Sequence, residues 1–220
     1  MNPELDAGSI LLVGLPGPDV GREDARVLRS LRPGGVILFR RNLDDPARLG
    51  RLWADLAATL EDPWLLAVDQ EGGRVSRLEP WVGATPSAAR IGVAGAEHAF
   101  DFGRATGKVL AALGFDLDFA PVVDLCPPGT PNGIGDRAYA TDPVLATHVA
   151  GSFLDGLQRA GVAGCIKHFP GLGDTAVDSH VALPTVERDA GRLHELDLAP
   201  YRVLGRRPSA VMFGHGHYPA

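Results

Sequence analysis

Residues 167–180 read KHFPGLGDTAVDSH and gather two histidines, a lysine and two aspartates around Pro170, Gly171 and Gly173. Asp178 and His180 are two apart, so an extended backbone sends both side chains to the same side. A carboxylate beside an imidazole orients the ring, selects its tautomer and raises its proton affinity. The pair reads as a general acid/base. The apolar run Val162-Ala163-Gly164-Cys165-Ile166 leads straight into the segment, as a buried strand does when it delivers side chains to the end of a sheet and hands over to a polar loop.

Other residues could join this chemistry. Asp69 closes an apolar run and is followed by the tight turn Gly72-Gly73, then Arg74 and Arg77. That pattern suits a carboxylate taking hydrogen bonds from ligand hydroxyls beside an arginine fork, or a solvated loop with an internal ion pair. Asp118 and Asp124 flank the run FDLDFAPVVDL, where a buried acid must be paired or line a cavity. Arg137 lies in a polar loop and, taken alone, reads as a surface charge. Lys167 and His168 are adjacent, so a regular strand would point them apart, whereas a turning strand end lets both reach one site. A buried Lys167 requires an acid or a sugar hydroxyl as partner. His215 and His217 invite a metal, but they fit neither an HExxH nor a facial-triad pattern, so no metal or other cofactor is expected.

These candidates need elements to carry them. Apolar runs at 9–15, 35–39, 64–69, 115–125, 162–168 and 209–215 read as six strands. Between them, 46–60 follows helical periodicity with Asp45 as cap and Pro46 in the first turn. A second helix spans 143–160, capped by Asp142 and stopped by Gly161, and a third covers about 96–113 and ends at Gly114. Alternation of this kind predicts a parallel sheet covered by helices. Asp69, Asp124, His168 and His215 all fall at C-terminal strand ends, the edge that a parallel barrel focuses on one site. The first turn, Gly14-Leu15-Pro16-Gly17-Pro18, has neither dinucleotide nor P-loop spacing. The expected fold is therefore an α/β TIM-type (β/α)8 barrel with about six of eight units present, residues 1–220 forming a single incomplete domain.

The bulk properties narrow the partners. The net charge is −6 and the densest basic run, Arg202 to Arg207, is short, which argues against nucleic acid. The apolar stretch Ser9–Leu15 is too short to span a membrane and has no basic leader, so a cytoplasmic location is expected. Cys126 and Cys165 lack metal-type spacing, and Cys165 reads as a buried small hydrophobe.

The segments DQEGGRVSRL (69–78), FAPVVDL (119–125), GDRAY (135–139), KHFPGLGDTAVDSH (167–180) and AVMFGHGHYP (210–219) follow one another in the order of glycoside hydrolase family 3, which the chain resembles from its first strand to its last residue. The Asp-Ser-His ending is similar to the β-N-acetylglucosaminidase branch, whose bacterial members act in peptidoglycan recycling. The resemblance implies a (β/α)8 barrel and a retaining hydrolase of terminal β-linked N-acetylglucosamine. It implies His180 as general acid/base with Asp178 as its partner, and Asp69, Arg77, Arg137, Lys167 and His168 as contacts to a small carbohydrate. Retention also needs a carboxylate nucleophile. In the family that group is an aspartate after the seventh strand, in a segment resembling Ser-Asp-Asp-Leu, and is expected beyond Ala220. Leu172 departs from the histidine that relatives often carry. A β-glucosidase, a glycoside phosphorylase and a non-catalytic sugar-binding remnant are the alternatives on the same scaffold.

Overall fold

A computed structural model describes residues 7–60, 64–127, 130, 132–176 and 181–219. Among them six strands form one sheet: β1 (Leu12–Gly14), β2 (Gly35–Leu38), β3 (Leu65–Val68), β6 (Leu117–Asp118), β7 (Ala163–Phe169) and β8 (Ala210–Phe213), every neighbouring pair parallel. Between β3 and β6, a separate antiparallel hairpin joins β4 (Gln70–Gly72) to β5 (Val75–Ser76). Strand order in the large sheet follows chain order without a reversal. A doubly wound sheet needs such a reversal to make its crevice, so the barrel reading holds. The sheet curls as part of a barrel, with β1 and β8 at its two edges.

Alternation along the strands explains why both faces are buried. Val36 and Leu38 on β2, Leu66 and Val68 on β3, and Ile166 on β7 belong to the main core with the helices. Ile37, Ala67, Leu117, Ala163, Cys165, Ala210 and Met212 gather in a second cluster with Phe119. Cys165 is buried there, as its apolar neighbours predict.

The helices are α1 (Arg22–Leu31), α2 (Pro46–Thr59), α3 (Glu79–Val82), α4 (Ala88–Ala94), α5 (Ala96–Ala112), α6 (Pro143–Arg159), α7 (Ala190–Arg192), followed by a π-helical turn at Leu193–Asp197, and α8 (Ala199–Leu204). The two aspartate caps act as expected: Asp45 accepts from Ala47 N at 2.9 Å and Asp142 from Leu145 N at 2.8 Å. On α2, Leu49, Leu52 and Leu56 are buried on one stripe. One expectation needs correction. The run 115–125 is a two-residue strand followed by irregular chain, because Pro121 lacks the N–H a longer ladder requires. Pairing resumes only at a bridge from Val122 to Lys167.

Helices α5 and α6 approach backbone to backbone. A Cβ added at Gly103 would lie 2.1 Å from Phe153 O, and one at Gly156 would lie 2.1 Å from Phe100 O. Gly156→Ala should therefore lower stability by about 2 kcal/mol, the overpacking cost exceeding the gain in helix propensity. Gly50→Ala, on an exposed part of α2 with no atom within 4 Å of the new Cβ, should instead stabilise by about 0.5 kcal/mol. Urea denaturation midpoints of the two variants check the contrast.

Candidate active site

The C-terminal ends of β3, β6 and β7 converge, and the β4–β5 hairpin bends over them. Gly72 and Gly73, at φ 98° and 53°, make the hairpin turn that few other residues could make. Gln70 braces it: its Oε1 accepts from Arg77 N (2.9 Å) and Leu78 N (3.1 Å), and its Nε2 donates to Ser76 Oγ (3.0 Å). Bracing fixes where Asp69, Glu71 and Arg77 stand.

Lys167, on β7, donates to Asp69 Oδ1 at 2.8 Å and meets Glu71 Oε1 at 2.6 Å. Glu71 in turn takes a two-point fork from Arg137, Nε to Oε2 and NH2 to Oε1, both at 2.8 Å. Arg77 NH2 is 3.6 Å from Asp69 Oδ2. His168 shares a 2.6 Å hydrogen bond between Nδ1 and Asp124 Oδ2, which turns Nε2 toward Arg137 NH2, 3.5 Å away. Lys167 and His168 thus reach one site although adjacent. The β7–β8 register shifts between Lys167 and Phe169, so regular strand alternation fails here, and the Lys167–His168 peptide bond is cis.

Side-chain exposure sorts the cluster into tiers. It falls from Arg77 (26%), Asp69 (16%), His168 (14%) and Arg137 (11%) to Glu71 (5%), Lys167 (2%) and Asp124 (0%). The open tier supplies carboxylate and imidazole acceptors beside guanidinium donors, which suits a ligand rich in hydroxyls. The closed tier holds the open one.

Charges follow the same division. Burial alone would raise the Glu71 carboxyl, but Lys167 and the Arg137 fork override it and bring its pKa to about 2. Burial would lower the Lys167 ammonium, yet Glu71 and Asp69 raise it above the ordinary lysine value. Asp118 is different. Fully buried, its carboxyl is pushed well above the usual carboxylate range, the hydrogen bond from Gln70 N (2.8 Å) and the nearby Lys167 offsetting burial only in part. Its Oδ2 has no hydrogen-bond partner.

Of the seven residues expected from sequence, Asp69, Arg77, Arg137, Lys167 and His168 are brought together here. Asp178 and His180 lie outside the described residues. The chain before residues 177–180 is held by Leu172 N donating to Asp124 Oδ1 (2.7 Å), and the chain after them by Val186 N to His217 O (3.0 Å) and His217 N to Pro184 O (2.8 Å). Arg188 ties the two, reaching Asp174 (3.3 Å) and Asp197 (2.5 Å) on the π-helical turn. Leu172, the departure from the family pattern, is buried against Gly214 and Gly216 in a cluster with Val122, Cys126, Ile134 and Val186. Glu71 was missing from the sequence expectation, although it stands two residues after Asp69 and so shares its side of an extended backbone.

Residues 7–220 match the family described as glycosyl hydrolase family 3 N terminal domain. The chain belongs to glycosyl hydrolase family 3. A protein of Thiobacillus denitrificans named β-hexosaminidase is 39% identical over 217 residues, which cover 95% of this chain and 60% of that protein. Among solved structures, a family 3 β-N-acetylglucosaminidase from Paenibacillus sp. superimposes with a TM-score of 0.92 at 39% identity, covering all of this chain and 43% of that one. NagZ from Neisseria gonorrhoeae, solved with N-trifluoroacetyl-D-glucosamine, gives 0.87 at 33% identity, covering 95% and 64%. The chain spans about three fifths of the length of the curated family 3 relative.

A carboxyl whose burial favours the protonated form should tolerate its amide. Asp118→Asn should stay within about 1 kcal/mol of the parent at pH 5, whereas Asp118→Leu, which strands Gln70 N–H, should cost roughly 1–3 kcal/mol. The sign of the pH effect follows from linkage. A raised folded-state pKa gives stability that is complete below the unfolded value and lost as pH rises through the folded one. Asp118→Asn should therefore gain on the parent as pH rises from 4 to 9, read from denaturation curves across that range.

Proposed function

We propose that this chain carries the sugar-binding part of a retaining glycoside hydrolase that removes terminal β-linked N-acetylglucosamine. The observation that carries the reading is the tiered cluster: Asp69, Arg77, Arg137 and His168 open at the C-terminal strand ends, with Lys167 anchored beneath them. Arginine forks and carboxylates recognise vicinal hydroxyls by charge-assisted hydrogen bonds. Family membership and relatives named for hexosaminidase or N-acetylglucosaminidase activity support the choice of sugar.

In this reading His180, steered by Asp178, gives a proton to the leaving oxygen as imidazolium and then, neutral, takes one from the attacking water. The nucleophile is an aspartate supplied from outside residues 1–220, and it forms and then releases a glycosyl-enzyme intermediate on the opposite face of the ring. The same reading places the protein in cytoplasmic peptidoglycan recycling, acting on small cell-wall saccharides. Among the described residues no helix is long and apolar enough to cross a membrane.

Titration of the 220-residue chain with N-acetylglucosamine should show binding. Asp69→Asn should weaken it about 10- to 100-fold, the worth of a charge-assisted hydrogen bond. His180→Ala should change it less than about threefold, because an acid/base acts on the transition state. The chain should not hydrolyse an aryl N-acetyl-β-glucosaminide. Turnover would show that an acid within 1–220 is the nucleophile, and absence of binding would overturn the sugar reading.

A further inference from the structure

The Glu71 side chain is nearly closed off from solvent, yet it contacts two cations of the cluster, Lys167 and Arg137. Its Oε1 lies 2.6 Å from Lys167 Nζ and accepts from Arg137 NH2 at 2.8 Å, while Oε2 accepts from Arg137 Nε at 2.8 Å. A two-point fork sets the plane of a guanidinium as well as its distance. With Nε and NH2 committed to Glu71, and NH1 to Gly133 O at 2.9 Å, the Arg137 plane has one orientation. What remains of NH2 is directed toward His168 Nε2, at the pocket. Lys167 is fixed in the same way, two of its three hydrogens going to Asp69 and Glu71 and the third left for another acceptor.

Neither cation could hold this pose alone. Arg137 comes from a 3-10 turn, at Gly135–Arg137, and Lys167 from β7, so no single element relates one to the other. Glu71, delivered by the β4–β5 hairpin, is the bridge. We infer that Glu71 is a positioning residue, the carboxylate that aims Arg137 and Lys167 at the sugar without touching it. The inference rests on the proposed sugar-binding reading.

Binding of N-acetylglucosamine to the whole 220-residue chain, compared with its Glu71→Gln and Glu71→Asp forms between pH 6 and 10, tests it. Glu71→Gln keeps the shape and removes the charge. It should bind at least about tenfold more weakly. Its affinity should also fall further toward pH 10, since Lys167 then keeps only Asp69 against its burial and gives up its proton earlier, while the parent stays level over the lower part of that range. A merely structural role would not create that pH profile. Glu71→Asp keeps the charge but shortens the reach by one methylene, so it should lose about threefold or more in affinity without the alkaline fall. If Glu71→Gln does not unfold cooperatively, Glu71→Asp decides alone. Parent-like affinity in the variants that fold overturns the positioning role and leaves the sugar reading standing, whereas a parent chain that does not bind the sugar removes both.

Discussion

Lys167 carries its ammonium into a place from which water is nearly excluded, where an unpaired charge would cost many kcal/mol. Two carboxylates meet it, Asp69 from the end of β3 and Glu71 from the hairpin, and the Arg137 fork on Glu71 balances the second carboxylate. Each ion is therefore conditional on the others. Removing one partner from such a buried set leaves a charge uncompensated, typically at a cost of about 3–5 kcal/mol, whereas apolar replacements of equal volume are often neutral or better. A core selected for stability alone would have filled this space with aliphatic side chains. In the proposed function the ion set holds an upper tier that binds the sugar.

The sheet makes that arrangement available. Parallel strands buried on both faces bring their C-terminal ends to one rim, and the rim is where polar side chains can point away from both hydrophobic clusters. The β4–β5 hairpin bends over that rim, and the close glycine contacts between α5 and α6 draw those helices tightly together. At the site itself register slips at the end of β7 and an acid, Asp118, is buried with one oxygen unpartnered. Such departures cluster where function is placed.

Much of this was legible from residues alone. Helices α2, α5 and α6 carried apolar periodicity together with Asp caps or glycine stops, and the six strand runs lay where the strands are. Helix α1 was not legible, because Leu28 is its one buried residue and most of its other positions are charged or polar. The hairpin was hidden because β4 and β5 are too short to show alternation. The 115–125 run looked like one strand because its hydrophobicity continues through Pro121. Within the site, acids and bases at strand ends stood out, while Arg137 read as a surface charge. Its burial depends on Glu71, 66 residues away in sequence, and no local pattern encodes such a pairing.

Asp124 has two oxygens with different duties: Oδ2 holds the His168 imidazole and Oδ1 holds the first backbone amide after Gly171. Ring tilt and loop departure angle thus share one pivot. Evolution or an engineer wishing to remodel the segment after Gly171 inherits the imidazole's setting along with it, so loop exchange among homologues will transplant cleanly only where that carboxylate travels too.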